Sequence, residues 1–117
     1  MSYIEGFVAA VPRANKDAYR RHATAALPMF KKFGATRMVE NWGDDVPDGK
    51  VTDFKRSVKA KPEEDIIFSW LEYPDKATRD RANKEIMSDP SMKDLGASMP
   101  FDGQRMIYGG FEPILDA

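Results

Sequence analysis

The stretch DIIFSWLEY, residues 65–73, decides the fold. It is rich in β-branched and aromatic residues and Pro74 follows it, so the pattern predicts a strand that ends there. Large apolar side chains occupy both alternating sets of positions, because Ile66 would face one way and Ile67 and Leu71 the other. A strand with one face in water alternates apolar with polar residues instead. The stretch therefore indicates a strand that is covered on both faces.

Three further segments predict the rest of a sheet. Residues 3–11 are rich in β-branched and aromatic residues and stop at Pro12, residues 35–42 precede a cluster of turn formers, and residues 105–114 are broken at Pro113. These are the first, second and fourth predicted strands in chain order.

Two segments with helical spacing predict the helices. In residues 16–35, Tyr19 and Ala26 lie on one side, Asn15 is a favoured N-cap residue and Gly34 a favoured stop.

The second predicted helix covers residues 75–89, and Asp75 is its expected cap. A short helical turn is expected after Pro90. The inner side of the second helix is predicted to consist of Ala77, Ala82, Ile86 and Met87.

The order strand, helix, strand, strand, helix, strand predicts a ferredoxin-like α+β fold with a four-stranded antiparallel sheet, in one domain of residues 1–117. Two helices cover only one face of such a sheet. Leaving the other apolar face in water would cost roughly 1.5–3 kcal/mol per large side chain. We therefore expect a homodimer through that sheet face, since two-fold pairing buries the same patch twice.

Composition excludes several classes of function. Eighteen Lys and Arg residues against 19 Asp and Glu residues give a formal net charge of −1, so no overall field attracts nucleic acid or an anionic membrane. The absence of cysteine excludes disulfides and thiolate nucleophiles, and it fits a reducing compartment. Residues 1–11 do not have the pattern of a secretion signal, and no apolar run has the length of a membrane span. We expect a cytoplasmic protein.

Three segments resemble a known family: IIFSWLEYPDKATRDRANKEIMSDP (66–90), MPFDGQRMIYGGFEPI (99–114) and GFVAAVP (6–12). They are similar to the small bacterial YbaA-like proteins, a family of unknown function in the dimeric α+β barrel superfamily. The resemblance implies the same fold and the same dimer, and it brings no catalytic residues with it. Proteins that share this barrel include cofactor-free oxygenases, haem-degrading enzymes and small-molecule binders, which is an analogy of fold.

His22 is the only histidine, and it lies near the edge of the helix side that meets the sheet. A neutral imidazole there could act as a general base on a bound acid or phenol, or ligate haem iron. The favoured alternative is an imidazole that bonds to backbone or solvent. One histidine cannot build a multi-histidine metal site, and we predict neither a metal nor a cofactor.

Aromatic and acidic residues mark the ends of two predicted strands. The second strand ends with Glu40, Asn41 and Trp42, and the third contains Trp70 and Glu72. The tryptophans and Glu72 could form a pocket for a flat organic ligand, in which the rings supply contact area and the carboxylate sets orientation. The alternative is that the tryptophans anchor the core or an interface.

The last predicted strand adds polar and glycine positions. Arg105, like Arg37 in the second strand, could pair with a carboxylate such as Glu5 or Glu112 across a dimer seam, or hold an anionic substrate. Asp102 begins an Asp-Gly pair that favours a tight turn with positive φ.

Gly109 begins a Gly-Gly pair inside the strand. Such a pair usually marks a β-bulge or the close approach of another backbone or a ligand. If there is a pocket at this place, Asp102, Gly109 and Gly110 would line it.

A basic segment with one counter-charge, Asp53, covers residues 50–61. These residues could bind the phosphate backbone of RNA. No RNA-binding aromatic signature accompanies them, so a solvated loop or helix face is the favoured interpretation. Its basic residues are Lys50, Lys55, Arg56, Lys59 and Lys61.

The leading hypothesis is a homodimer that binds a small organic molecule in a cavity between helices and sheet. The alternatives are a cofactor-independent oxygenase or isomerase with His22 as base, an RNA-binding protein that uses residues 50–61, and a module that serves assembly alone.

Overall fold

Four antiparallel strands form one sheet in the computed structural model, which describes residues 2–117. Along the sheet the strands run in the order β2-β3-β1-β4, so β1 and β3 are central. This order confirms the predicted ferredoxin-like α+β fold. The strands are β1 (Tyr3–Pro12), β2 (Arg37–Trp42), β3 (Glu64–Tyr73) and β4 (Ile107–Phe111).

Four helices join the strands: α1 (Lys16–Lys32), the single turn α2 (Phe54–Ser57), α3 (Lys76–Ser88) and α4 (Pro90–Ala97). Helix α1 ends before Gly34, whose φ of +116° is strained for any side chain. The Asp75 carboxyl accepts a hydrogen bond from Thr78 N at 2.8 Å and caps α3 as predicted. Asn15 holds the N-cap position of α1, but its side chain donates to Pro100 O at 2.8 Å and does not cap the helix.

The chain turns at Asp102 before the last strand as expected, but the expected positive φ is wrong. Asp102 starts a 3₁₀ turn over Gly103–Arg105 and accepts a hydrogen bond from Gln104 N at 3.0 Å, and neither residue of the Asp-Gly pair has a positive φ. The chain turns here by a short helical bend, so β4 begins only at Ile107.

The inner side of α3 is narrower than predicted. Ala82 is fully buried and Ile86 packs against the core, whereas Ala77 is exposed and Met87 is 77% exposed. Met87 follows Ile86 directly and is therefore turned by about 100° around the helix axis, away from the sheet.

The two faces of the sheet differ in their cover. Helices α1, α3 and α4 pack on the helix face, which carries Ile67, Ser69 and Leu71 of β3. The opposite face, called the open face below, is covered only in part, where Val46 and Val58 from the β2–β3 connection contact the core. The open face carries Ile4, Val8, Val39, Phe68, Trp70, Ile107 and Phe111.

Candidate functional site

A cavity of about 330 Å³ lies between the helix face and helices α1 and α4. Its wall is mainly apolar and includes four methionines, whose unbranched side chains adapt to the shape of an occupant. The methionines are Met38, Met92, Met99 and Met106, and the aromatic members of the wall are Phe7, Tyr19, Phe30 and Phe101.

Small residues on the two covering helices leave this space open. Ala23 and Ala26 of α1 and Gly96 of α4 border the cavity. Helix α4 contacts both α1 and α3 and spans the gap between them. His22 Nε2 lies 2.6 Å from Leu95 O and ties α1 to α4 at the edge of the cavity.

His22, the candidate general base, therefore makes a structural contact through one of its ring nitrogens. A carbonyl oxygen only accepts, so Nε2 carries the proton and Nδ1 is the unprotonated nitrogen of the neutral ring. A role of His22 as a base stays a prediction.

A hydroxyl and a carboxyl group form the polar part of the cavity wall. Tyr19 Oη donates to Glu40 Oε1 at 2.6 Å, and Ser69 is the register partner of Glu40 on the next strand. Glu40 is an exposed residue, yet desolvation by the protein around it raises the pKa of its carboxyl group, and hydrogen bonds from Tyr19 and Ser69 oppose part of that rise. Burial and the neighbouring Glu40 also raise the pKa of the Tyr19 hydroxyl, so Tyr19 keeps its proton at neutral pH.

No lysine or arginine borders this cavity among the described residues. His22 is the single group in the described wall that could carry a positive charge. The polar wall therefore combines an acidic group with hydroxyl groups and lacks a permanent counter-ion.

A groove of about 300 Å³ on the outside, between α1 and β2, shares Tyr19 and Glu40 with the cavity. Trp42 forms one side of this groove, with Lys16 Nζ 5.6 Å from its ring centroid. The Trp42 indole N–H donates to Asp65 Oδ2 at 3.0 Å. Trp42 therefore lies beside the cavity, on the helix face, with its polar atom occupied.

Trp70 and Glu72 lie on the open face. Side chains alternate along β3, so Trp70 points away from the cavity that Ser69 and Leu71 border, and only its main chain can contribute to the wall. The Trp70 indole N–H donates to Glu72 Oε2 at 2.9 Å. The sheet thus separates Trp42 from Trp70 and Glu72, and the predicted three-residue pocket is not assembled.

Arg105 pairs within its own chain. Its Nη2 lies 2.6 Å from Glu64 Oε2, and its Nε lies 3.0 Å from Asp102 Oδ2. The hydrogen bond from Arg105 lowers the pKa of Glu64 to about 2. Arg37 likewise pairs with a carboxylate of its own chain, Glu72 at 3.4 Å, in place of the suggested Glu5 or Glu112. Pairing across a dimer seam stays a prediction.

Gly109 faces Gly6 across β1 and β4, on the open face. A Cβ atom at Gly6 would lie 3.3 Å from the Phe111 ring and one at Gly109 would lie 3.6 Å from it, so the two glycines make room for this ring. Gly109 therefore serves the packing of Phe111, whereas Asp102 begins the 3₁₀ turn before β4. A ligand-binding role for Trp42, Trp70, Glu72, Asp102, Arg105 and Gly109 stays a prediction.

The sequence analysis did not select Tyr19, Glu40 and Ser69 as a group. A signal for Glu40 was present, because Met38, Glu40 and Trp42 have the same parity and a carboxylate among inward-facing apolar residues is unusual. The signal was incomplete without the register of β2 against β3, which sets Glu40 opposite Ser69.

The basic segment of residues 50–61 is partly neutralised by its neighbours. Lys55 Nζ lies 3.1 Å from Asp48 Oδ1, and Arg56 Nε lies 3.4 Å from Asp53 Oδ2. RNA binding by this segment stays a prediction.

Within residues 2–117, no three acidic or histidine side chains are grouped so that they could hold a metal ion. The helices of the same residues are all too short or too polar to cross a lipid bilayer.

Comparison with known proteins places the chain among proteins without an assigned activity. Residues 2–103 match the family described as "Protein of unknown function (DUF1428)". The chain is 63% identical over 116 residues to the uncharacterized protein YbaA of Escherichia coli K12, with 99% of both chains covered.

Solved structures share the fold at low identity. A dimeric ferredoxin-like protein of unknown function from Jannaschia sp. has a TM-score of 0.57 at 14% identity, covering 95% of this chain and 99% of its own. A dimeric ferredoxin-like protein from an uncultured marine organism has a TM-score of 0.55 at 13% identity, covering 99% of this chain and 98% of its own. At these identities the likeness shows the fold alone.

Proposed function

The chain belongs to the DUF1428 family of proteins of unknown function, and we propose that it binds a small, mainly apolar organic molecule in the cavity under α1 and α4. The observation that carries the proposal is the cavity itself. Its volume of about 330 Å³ lies within the range of small-molecule sites. Its wall is apolar except for a few polar groups on one side, which is the usual composition of such sites.

Ordinary packing does not account for this space. Protein interiors are packed as densely as organic crystals, with few voids larger than a water molecule. The cavity opens to solvent on one side but reaches into the helix layer, where filled space contributes directly to stability. A bound molecule would restore the missing contacts.

A cavity-filling variant tests the proposal. Ala23 borders the cavity, and Ala25 is exposed on the same helix. In Ala23→Phe the new ring would take the place of a bound molecule, and Ala25→Phe is the matched control. The probe is 2-naphthol, followed by its own fluorescence and by titration calorimetry.

We expect 2-naphthol to bind the wild type and Ala25→Phe with similar affinity and to bind Ala23→Phe at least about tenfold more weakly. Absence of binding to the wild type by 2-naphthol and by the two related probes used below would contradict the proposal. Equal binding to all three proteins would place the probe elsewhere and would also contradict it.

We further propose that two copies pair through the open face. Phe68, Ile107 and Phe111 are 48%, 45% and 60% exposed there, which leaves a contiguous apolar surface unexplained in a single chain. Two structures with this fold are described as dimeric proteins. A two-fold contact would cover the same side chains of both copies.

The oligomeric state tests this second proposal. Sedimentation velocity at micromolar concentration should give a dimer for the wild type and a monomer for Phe111→Glu. Met87→Glu, on the outer side of α3, is the control and should remain dimeric. A monomeric wild type, or a dimer that Phe111→Glu leaves intact, would contradict pairing through this face.

A further inference from the structure

The O–H and N–H groups in the polar part of the cavity wall already donate hydrogen bonds to other protein groups. Tyr19 O–H donates to Glu40 at 2.6 Å, and His22 N–H donates to Leu95 O at 2.6 Å. Ser69 is buried and lies opposite Glu40 on the neighbouring strand, so its hydroxyl is beside the pair. The groups that face the cavity are therefore mainly acceptors.

Glu40 is the strongest of these acceptors. A carboxylate has two oxygens and about four lone-pair sites, and Tyr19 and Ser69 supply only two donors. Glu40 also borders the outer groove as well as the cavity, so its carboxyl group is reached from both sides. It retains the capacity to accept a hydrogen bond from an occupant.

The charge of the wall limits the occupant further. Glu40 is an exposed residue, but an anionic ligand would still lie beside its carboxylate in a cavity whose described wall holds no lysine or arginine, and like charges repel. Lys16 and Arg20 border only the outer groove. The cavity therefore discriminates against carboxylates, sulfonates and phosphates.

The apolar part of the wall favours an aromatic occupant. Methionine sulfur makes favourable contacts with aromatic rings, and four methionines surround the space. Phe7, Phe30 and Phe101 add ring surfaces that can stack or meet edge to face.

We infer that the cavity selects a neutral phenol, whose ring fills the methionine- and phenylalanine-lined space and whose O–H donates to Glu40. This inference rests on the proposed function and adds the chemical class of the ligand. A hydrogen bond to a charged acceptor is stronger than one between neutral groups, so the hydroxyl should raise affinity by about 10- to 100-fold over the bare ring.

Three probes of one shape test it: 2-naphthol, naphthalene and 2-naphthoate, each measured by titration against the purified full-length protein at pH 7. We expect 2-naphthol to bind about 10- to 100-fold more tightly than naphthalene, and 2-naphthoate to bind more weakly than naphthalene. Glu40→Gln keeps an oxygen that can accept from Tyr19. In this variant the ratio of the affinities for 2-naphthol and naphthalene should shrink by at least about tenfold. Glu85→Gln, on the exposed side of α3, is the matched control and should keep the wild-type order.

The outcomes separate the two levels of the proposal. If naphthalene binds as well as 2-naphthol, or if 2-naphthoate binds most tightly, the cavity binds small molecules but the phenol inference is overturned. If none of the three probes binds, the proposed function itself fails. The comparison of probes on the wild type decides the inference even if Glu40→Gln does not fold.

Discussion

Two glutamates point from the same face of the sheet toward the helices, and their surroundings are opposite. Glu5 on β1 is 4% exposed and lies under α3, with Arg79 Nε 3.5 Å and Asn83 Nδ2 3.5 Å from its Oε2. Glu40 on β2 is exposed beside α1, with Tyr19 as its hydrogen-bonded partner, and it borders the cavity and the outer groove. The buried acid is therefore held by a cation in filled space, whereas the exposed acid at the edge of the cavity is available to an occupant.

The neighbouring strand explains why the space around Glu5 is filled. Arg79 Nη2 donates to the Tyr3 hydroxyl at 2.8 Å, and the guanidinium lies 4.8 Å from the Tyr3 ring centroid. Gly110 faces Glu5 on β4, and a Cβ atom there would overlap both Arg79 and Tyr3. The missing side chain of Gly110 is therefore what admits the arginine.

The largest expected effect is on the Glu5 side. Arg79→Met removes the cation and leaves a buried carboxylate without a counter-ion, so the free energy of unfolding should fall by about 3 kcal/mol. Urea denaturation measures it, and Arg81→Met, at an exposed position of the same helix, is the control. A loss no larger than that of the control would show that Glu5 does not depend on Arg79.

Gly110→Ala should have the next largest effect. Its methyl group would displace Arg79 or Tyr3, and overpacking of this kind costs about 1–3 kcal/mol. Gly96→Ala is the matched control, because a Cβ atom there meets nothing within 4 Å and lies in a helix, where alanine is favoured over glycine. Thermal unfolding should show opposite shifts for the two variants. Shifts of the same sign would contradict the role assigned to Gly110.

Glu64 extends the comparison to a third acid with an arginine partner. Its pKa is lowered from 4.5 to about 2 by Arg105, so its stabilising effect is complete above about pH 4.5 and is lost as the pH falls toward 2. The stability difference between wild type and Glu64→Gln should therefore shrink between pH 5 and pH 2.5. Urea titrations across this range measure it, and a difference that stays constant would show that the ion pair contributes nothing.

The smallest expected effect on stability is at Glu40. Glu40→Gln leaves no unpaired cation behind and keeps an acceptor for Tyr19, so the free energy of unfolding should change by less than about 1 kcal/mol. The same denaturation experiment as for Arg79→Met makes the two acids directly comparable. A loss as large as that of Arg79→Met would mean that Glu40 is a structural residue like Glu5.

Local signals in the sequence were sufficient for the four strands, for α1 and α3, and for the helical turn after Pro90. Apolar residues at both alternating sets of positions in residues 65–73 predicted a strand with two apolar faces, and Asp75 predicted the start of α3. Asn15 marked the right position for the start of α1 although its side chain bonds to Pro100. The position of a helix or strand depends on residues a few places apart in the sequence. The role of a polar side chain depends instead on which distant residues the tertiary structure places beside it.

The amino-acid sequence by itself determined the strand and helix order, the apolar character of both sheet faces and hence the ferredoxin-like fold, because hydrophobic periodicity and capping act within one element. Only the tertiary structure decided which acid receives an arginine and which lies beside open space. Glu5 and Arg79 meet through the packing of α3 on β1, and Glu40 meets Ser69 through the register of β2 on β3. Such pairings join residues far apart in the chain, and a shift of one position in register would turn each side chain to the other face.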